Sequence, residues 1–125
     1  MELVGPEKTL VTATLVFPVR KGETEDEVLL AMKRDKIGRN KLNGFGGGVE
    51  RGETLRACAA REVFEETGGV VVRPMDLKKV GIAHFRNQKQ DGTKFTCTVH
   101  VYTMSTWKGE IVSTPEMGDP KWYPV

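Results

Sequence analysis

Three glutamates, Glu62, Glu65 and Glu66, sit within five residues of one another and directly after Arg61. On a helix, positions i, i+3 and i+4 fall on one face, so a helical segment here gathers three carboxylates together. Like charges at that spacing repel by a few tenths of a kcal/mol per pair, and Arg61 and solvent offset part of this. Carboxylates are hard oxygen ligands, and Mg²⁺ typically binds through a few of them while keeping waters and substrate phosphate oxygens. Upstream lies Asn43-Gly44-Phe45-Gly46-Gly47-Gly48, preceded by a run with Lys33, Arg34, Lys36, Arg39 and Lys41 against one acid, Asp35. Glycines let a backbone approach a ligand closely, and basic side chains hold phosphate oxygens. A solvated acidic face and a flexible loop would show the same residues separately. Their succession favours a metal site that handles phosphate.

The elements around this cluster read as follows. Thr54 to Thr67 is the helix candidate, with Thr54 as N-cap and no capping box, because Ala57 stands at the third helical position. Gly68-Gly69 supplies the stop. Ala57, Ala60, Val63, Phe64 and Thr67 form a stripe for packing on a sheet, roughly opposite the glutamates, with Cys58 on the carboxylate side. Residues 9–20 and 28–32 read as a strand hairpin, and residues 79–85, 94–106 and 121–125 as three further strands, the first two joined at Asp91-Gly92. The glycine-rich stretch reads as a loop. The order β-β-loop-α-β-β-β describes an α/β or α+β domain.

Composition narrows the class. A chain of 125 residues is the length of one domain, 1–125, with no linker or repeat dividing it. A formal charge of +2 gives no ground for binding a nucleic acid polymer or a membrane surface. No apolar run reaches the roughly 18 residues of a membrane span. Two cysteines, Cys58 and Cys97, lack metal spacing and are expected as reduced thiols in a cytoplasmic protein.

At this point the residues match something more specific. Gly47, five residues, Glu53, seven residues, then Arg61-Glu62-Val63-Phe64-Glu65-Glu66-Thr67-Gly68 resembles the Nudix box, G-x5-E-x7-R-E-U-x-E-E-x-G-U, spanning residues 47–69. The departure is the last position, aliphatic in the family and Gly69 here, with Val70 one place later; the expected consequence is a changed helix exit. The resemblance implies a mixed β-sheet in an α/β/α sandwich with a loop-helix-loop. It also implies hydrolysis of a nucleoside diphosphate derivative by water attack on phosphorus, with Mg²⁺ or Mn²⁺ as cofactor. By motif position Glu62, Glu65 and Glu66 are the metal carboxylates, a Gly46 or Gly47 carbonyl assists, and Arg61 with Glu53 forms the pair that fixes the helix.

Outside the box, residues 29–34, 42–47, 79–81 and 99–102 and the pair Glu116-Met117 are similar to the MutT-homologue group, which hydrolyses oxidised purine nucleoside triphosphates. That similarity implies that Glu116 is a further ligand or base, that Asn43 binds the purine edge, and that Lys33 and Phe85 line the same substrate site. The bland alternatives are a turn residue for Asn43, a core residue for Phe85, a solvated strand end for Lys33 and a surface acid for Glu116. Trp107 and Trp122 read as packing residues. The group continues past the strand matching 121–125 into an acidic pair that reads the base and a closing helix; with this sequence ending at Val125, the expectation is either a shortened chain or a compact variant that reads the base differently. An uncovered sheet face is expected to promote homodimer formation, so sedimentation at micromolar concentration should show self-association, and a monomer would contradict it. The expected substrate is a nucleoside triphosphate such as 8-oxo-dGTP. The rivals are an ordinary dNTP, a dinucleoside polyphosphate, a nucleotide sugar, or a module that senses a nucleotide without cleaving it.

Overall fold

The computed structural model describes residues 9–34, 40–88 and 90–125. Seven strands and one α-helix follow in the order β1 (Thr9–Lys21), β2 (Asp26–Lys33), β3 (Leu42–Asn43), β4 (Phe45–Gly48), α1 (Leu55–Glu66), β5 (Lys78–Gln88), β6 (Lys94–Met104) and β7 (Met117–Pro124), with a 3₁₀ turn at Pro74–Asp76. The strands form one mixed sheet, ordered β3-β2-β1-β6-β5, with β4 added on β1 and β7 on β2. Most of the basic run, residues 35–39, lies outside the described residues.

The long strand β1 organises the sheet by changing partners along its length. Residues Thr9 to Pro18 run parallel to β6, Ala13 to Val16 also pair antiparallel with β4, and Val19 to Lys21 pair with β2. Pro18, which has no N–H to donate, falls between the stretches paired to β4 and β2, where its missing donor is tolerated. The hairpin of β1 and β2 forms as its sequence suggests, and Arg20 donates to Glu27 across it at 2.7 Å. The β5–β6 hairpin also forms: Gly92 takes φ +90°, and Asp91 Oδ1 accepts from the Thr93 N–H at 2.8 Å.

Two expectations need correction. The glycine-rich stretch is not an open loop: its residues build β3 and β4, and Gly48, Gly47, Gly46 and Phe45 pair with Ala13, Thr14, Leu15 and Val16. The packing face of α1 is also rotated from the expected stripe. Val63 and Thr67 are buried, but Phe64 is 51% exposed, and Cys58, Ala59 and Glu66 are buried in its place. The small-residue stripe misleads because the helix lies over a strand of glycines, which leave room beneath it for larger polar side chains. A third difference is smaller: the last strand begins at Met117, four residues before the expected Lys121.

Helix α1 starts and stops as its sequence dictates. Thr54 Oγ1 accepts from the Ala57 N–H at 3.1 Å. At the other end Gly68 and Gly69 adopt φ +83° and +112°, and the Gly69 N–H donates to the Phe64 carbonyl at 2.9 Å, closing the end as a Schellman-type cap. Val70, shifted one place from the motif's aliphatic position, is fully buried. The helix exit is thus rebuilt by one residue rather than lost. The core joins Val16, Leu29, Ala31, Phe45, Ala59, Val63, Tyr102, Met104 and Met117 between the sheet and this helix. Trp107 and Trp122 stack on each other with centroids 6.4 Å apart, consistent with packing roles. Among the described residues one helical layer covers the sheet, and no second α-helix follows β7.

Candidate active site

The site forms where α1 crosses β4. The two central glycines of β4 keep the space beneath the helix clear in different ways. A Cβ on Gly46 would run into the Thr14 carbonyl of the paired strand, and one on Gly47 into the Glu62 carboxylate. Glu62 and Glu66, one helical turn apart, therefore descend onto a strand with no side chains of its own in the way. Glu66, 5% exposed, accepts the Gly46 N–H at 3.1 Å through Oε1.

Arg61 holds the outer part of the cluster. Its Nε donates to Glu53 Oε2 at 2.7 Å and its Nη2 to Glu53 Oε1 at 3.0 Å, a bidentate pair. The remaining Nη1 donates to Glu62 at 2.9 Å and to Glu65 at 3.3 Å, while Nη2 also reaches the Gly48 carbonyl at 3.2 Å. One guanidinium thus ties the residue before the helix, two helix carboxylates and the end of β4 into one unit. The expected Arg61–Glu53 pair is present with this geometry. It holds the Glu53 carboxyl down at about 2, chiefly through the hydrogen bonds from Arg61 and the Glu50 N–H.

Burial drives the inner carboxylates the other way. The Glu62 carboxyl is raised by desolvation against the pull of Arg61. Glu66 is pushed up to about 7 by desolvation, with the charges of Glu62 and Glu116 adding to the rise and the Gly46 N–H and Lys33 opposing it. A carboxyl at about 7 exchanges its proton in the neutral range.

Glu116 and Lys33, which lie far from the box in sequence, both act electrostatically on Glu66, and Glu116 also on Glu62. The fold therefore brings them to the cluster. Glu65 points outward: its side chain is about half exposed and engages Arg61. Asn43 lies on β3, and its Oδ1 accepts the following Gly44 N–H at 2.8 Å, a turn contact that leaves its amide NH₂ free of that bond. Phe85 sits on the outer strand β5, 43% exposed, at the opposite end of the strand order from Asn43.

Sequence reasoning passed over three contributors. The Cys58 thiol, fully buried, contacts Thr14 Oγ1 at 3.3 Å and the Gly48 and Gly47 carbonyls at 3.5 and 3.7 Å, clamping helix to strand. Desolvation raises its pKa, as suits a structural thiol rather than a nucleophile. Thr14 is the second contributor, buried on β1. Thr114 is the third, and its Thr-Pro context before Glu116 is the one local signal that could have drawn notice.

The donor set suits a hard divalent cation. It offers carboxylate oxygens on Glu62, Glu66 and Glu116 and backbone carbonyls on β4, with no soft ligand exposed beside them. Among the described residues no three His, Cys, Asp or Glu side chains converge as a ready-made cage.

Comparison with known proteins agrees with the fold. Residues 9–125 match the NUDIX domain family. The oxidized purine nucleoside triphosphate hydrolase of Danio rerio is 37% identical over 112 residues, which cover 90% of this chain and 65% of that protein. The Mus musculus protein of the same name is 36% identical over 96 residues, 77% of this chain and 57% of its own length. The chain therefore spans about two-thirds or less of these relatives. Among solved structures, a MutT NUDIX hydrolase from Burkholderia pseudomallei superposes with a TM-score of 0.74 at 18% identity, over 93% of this chain and 84% of that one. This chain belongs to the Nudix family.

Proposed function

We propose that the protein is a Mg²⁺-dependent Nudix pyrophosphohydrolase that converts a nucleoside triphosphate, with oxidised purines such as 8-oxo-dGTP favoured, to the monophosphate and pyrophosphate. Mn²⁺ is a suitable substitute. The observation that carries this reading is the descent of the Glu62 and Glu66 carboxylates onto the glycine strand β4, where Glu66, buried, accepts the Gly46 N–H at 3.1 Å and Glu62 lies against Gly47. A purely structural acidic face would be solvated, with its carboxyls near their ordinary values. The relatives named above support the triphosphate substrate, and the reduced, buried Cys58 and Cys97 suit a cytoplasmic setting.

In this reading the divalent ion supplies charge neutralisation at the phosphoryl oxygens and a more acidic bound water. The chain supplies the rest. Glu66 Oε1 is fixed by the Gly46 N–H, leaving Oε2 to accept a proton from the attacking water. The water oxygen bonds to phosphorus, the anhydride P–O bond breaks, and pyrophosphate departs with that bonding pair. Arg61 is held by five acceptor oxygens and keeps Glu62 oriented over Gly47. Lys33 provides positive charge beside Glu66 for the substrate's phosphates. Asn43 offers its NH₂ to the purine edge, while the exposed Val80, Ile82 and Phe85 lie on β5 at the other end of the strand order and suit the expected homodimer.

Pyrophosphate release from 8-oxo-dGTP, dGTP, 2-hydroxy-dATP, dATP and ADP-ribose, with and without Mg²⁺, tests the assignment. The expected pattern is metal-dependent release with the oxidised purines fastest, by about tenfold or more over their unmodified parents. Equal rates for every triphosphate would make this a general nucleotide hydrolase. No turnover of any of them by folded protein would contradict hydrolysis and favour a sensor.

A further inference from the structure

We infer that Thr114 is a positioning residue that holds the Glu116 carboxylate over the helix glutamates, a role resting on the metal-dependent hydrolysis proposed above. The segment before β7 must bring Glu116 to α1 across a gap of fifty residues in sequence from Glu66, and few bonds do this. Thr114 Oγ1 donates to the Glu66 backbone carbonyl at 3.1 Å. This is one of the last helical carbonyls, which has no partner within its own helix. The same oxygen accepts the Met117 N–H at 3.2 Å, and the Thr114 N–H donates to the Met117 carbonyl at 2.9 Å. Residues 114–117 therefore close into a turn with Glu116 inside it, and a single hydroxyl fastens that turn to the residue that bears the buried carboxyl. Pro115 narrows the backbone of the turn further.

Two flanking bonds complete the hold. The Val112 N–H donates to the Thr67 carbonyl at 3.1 Å, and the Arg34 N–H, at the end of β2, donates to the Glu116 carbonyl at 3.0 Å. The first keeps the chain on the helix end and the second keeps it on the sheet. Neither fixes how far Glu116 stands from Glu66. Thr114 does, because it bonds on one side to Glu66 and on the other closes the turn. Loss of its hydroxyl cuts the tie between the turn and the Glu66 carbonyl and leaves the turn held by the backbone bonds of Val112, Arg34 and Thr114 alone.

Electron paramagnetic resonance of Mn²⁺ bound to the nucleotide-free protein reads this without turnover. Thr114→Val is expected to weaken Mn²⁺ binding about tenfold, the range for a group that orients a ligand, and Thr114→Ser to stay within about twofold of the parent. In a Glu116→Gln background, Thr114→Val should add less than about twofold, because its effect passes through Glu116. Unchanged Mn²⁺ affinity in Thr114→Val overturns the inference, as does a tenfold loss that persists in the Glu116→Gln background. A parent protein that binds Mn²⁺ but hydrolyses no nucleotide removes the proposed reaction and leaves the positioning role to be judged on these affinities. A parent that binds no Mn²⁺ overturns both.

Discussion

Glu66→Gln is expected to stop turnover while making the metal-free protein more stable. The carboxyl of Glu66 keeps its proton up to about pH 7 in the folded chain, against an ordinary value of 4.5. Between those values the folded state binds more protons than the unfolded state, so its stability falls as pH rises through that window and stays lower above it. The buried charge that results costs about 3 kcal/mol at pH 8. Glutamine has the same shape, keeps an oxygen for the Gly46 N–H and never ionises. Thermal unfolding of the metal-free variant should therefore be nearly flat between pH 5 and pH 8, where the parent loses stability. Turnover should fall by on the order of 10³-fold, the contribution of a positioned base, while nucleotide binding changes far less. The parent's rate at limiting metal should rise with pH through the neutral range as Glu66 loses its proton. A variant that loses binding and turnover equally would contradict the catalytic role.

The second large effect separates two adjacent glycines. Alanine at Gly46 places its methyl against the backbone carbonyl of Thr14, which cannot move without opening the β1–β4 pairing. The expected cost is about 3 kcal/mol, at the upper end for overpacking a core, with a matching fall in the denaturant midpoint. Alanine at Gly47 meets only the end of the Glu62 side chain, which can swing aside. That variant should unfold within about 1 kcal/mol of the parent and yet lose roughly 10²-fold in turnover, because Glu62 is displaced from the reacting centre. Equal destabilisation of the two variants, or full activity in Gly47→Ala, would show that Glu62 does not work from where the fold places it.

These two predictions also mark what the sequence could show. The box residues were legible because their chemistry depends on spacing along one helix, and that spacing is fixed by helical geometry. Thr54, Gly68 and Gly69 announced the helix ends through capping chemistry that is local. The burial of Glu66 was not legible. Apolar periodicity assigns a glutamate to solvent, and only the glycine strand lying beneath the helix makes room for it. Glycine's poor strand propensity hid β4, since the pairing of Gly46 and Gly47 with β1 decides its structure. The parallel pairing of β1 with β6 and the Thr114 bond to Glu66 link residues far apart in sequence, and no local pattern encodes either. Asn43 shows the converse: its turn contact was readable from the Asn-Gly pair, while any part in holding a base depends on surroundings that sequence does not display.

The most direct test compares the parent and Glu66→Gln side by side, measuring pyrophosphate released from 8-oxo-dGTP with saturating Mg²⁺ and again with the metal chelated. The account predicts turnover by the parent with metal, none once the metal is removed, and a loss on the order of 10³-fold in the variant. Release that survives chelation, or a variant as active as the parent, would contradict a metal-dependent hydrolysis built on Glu66.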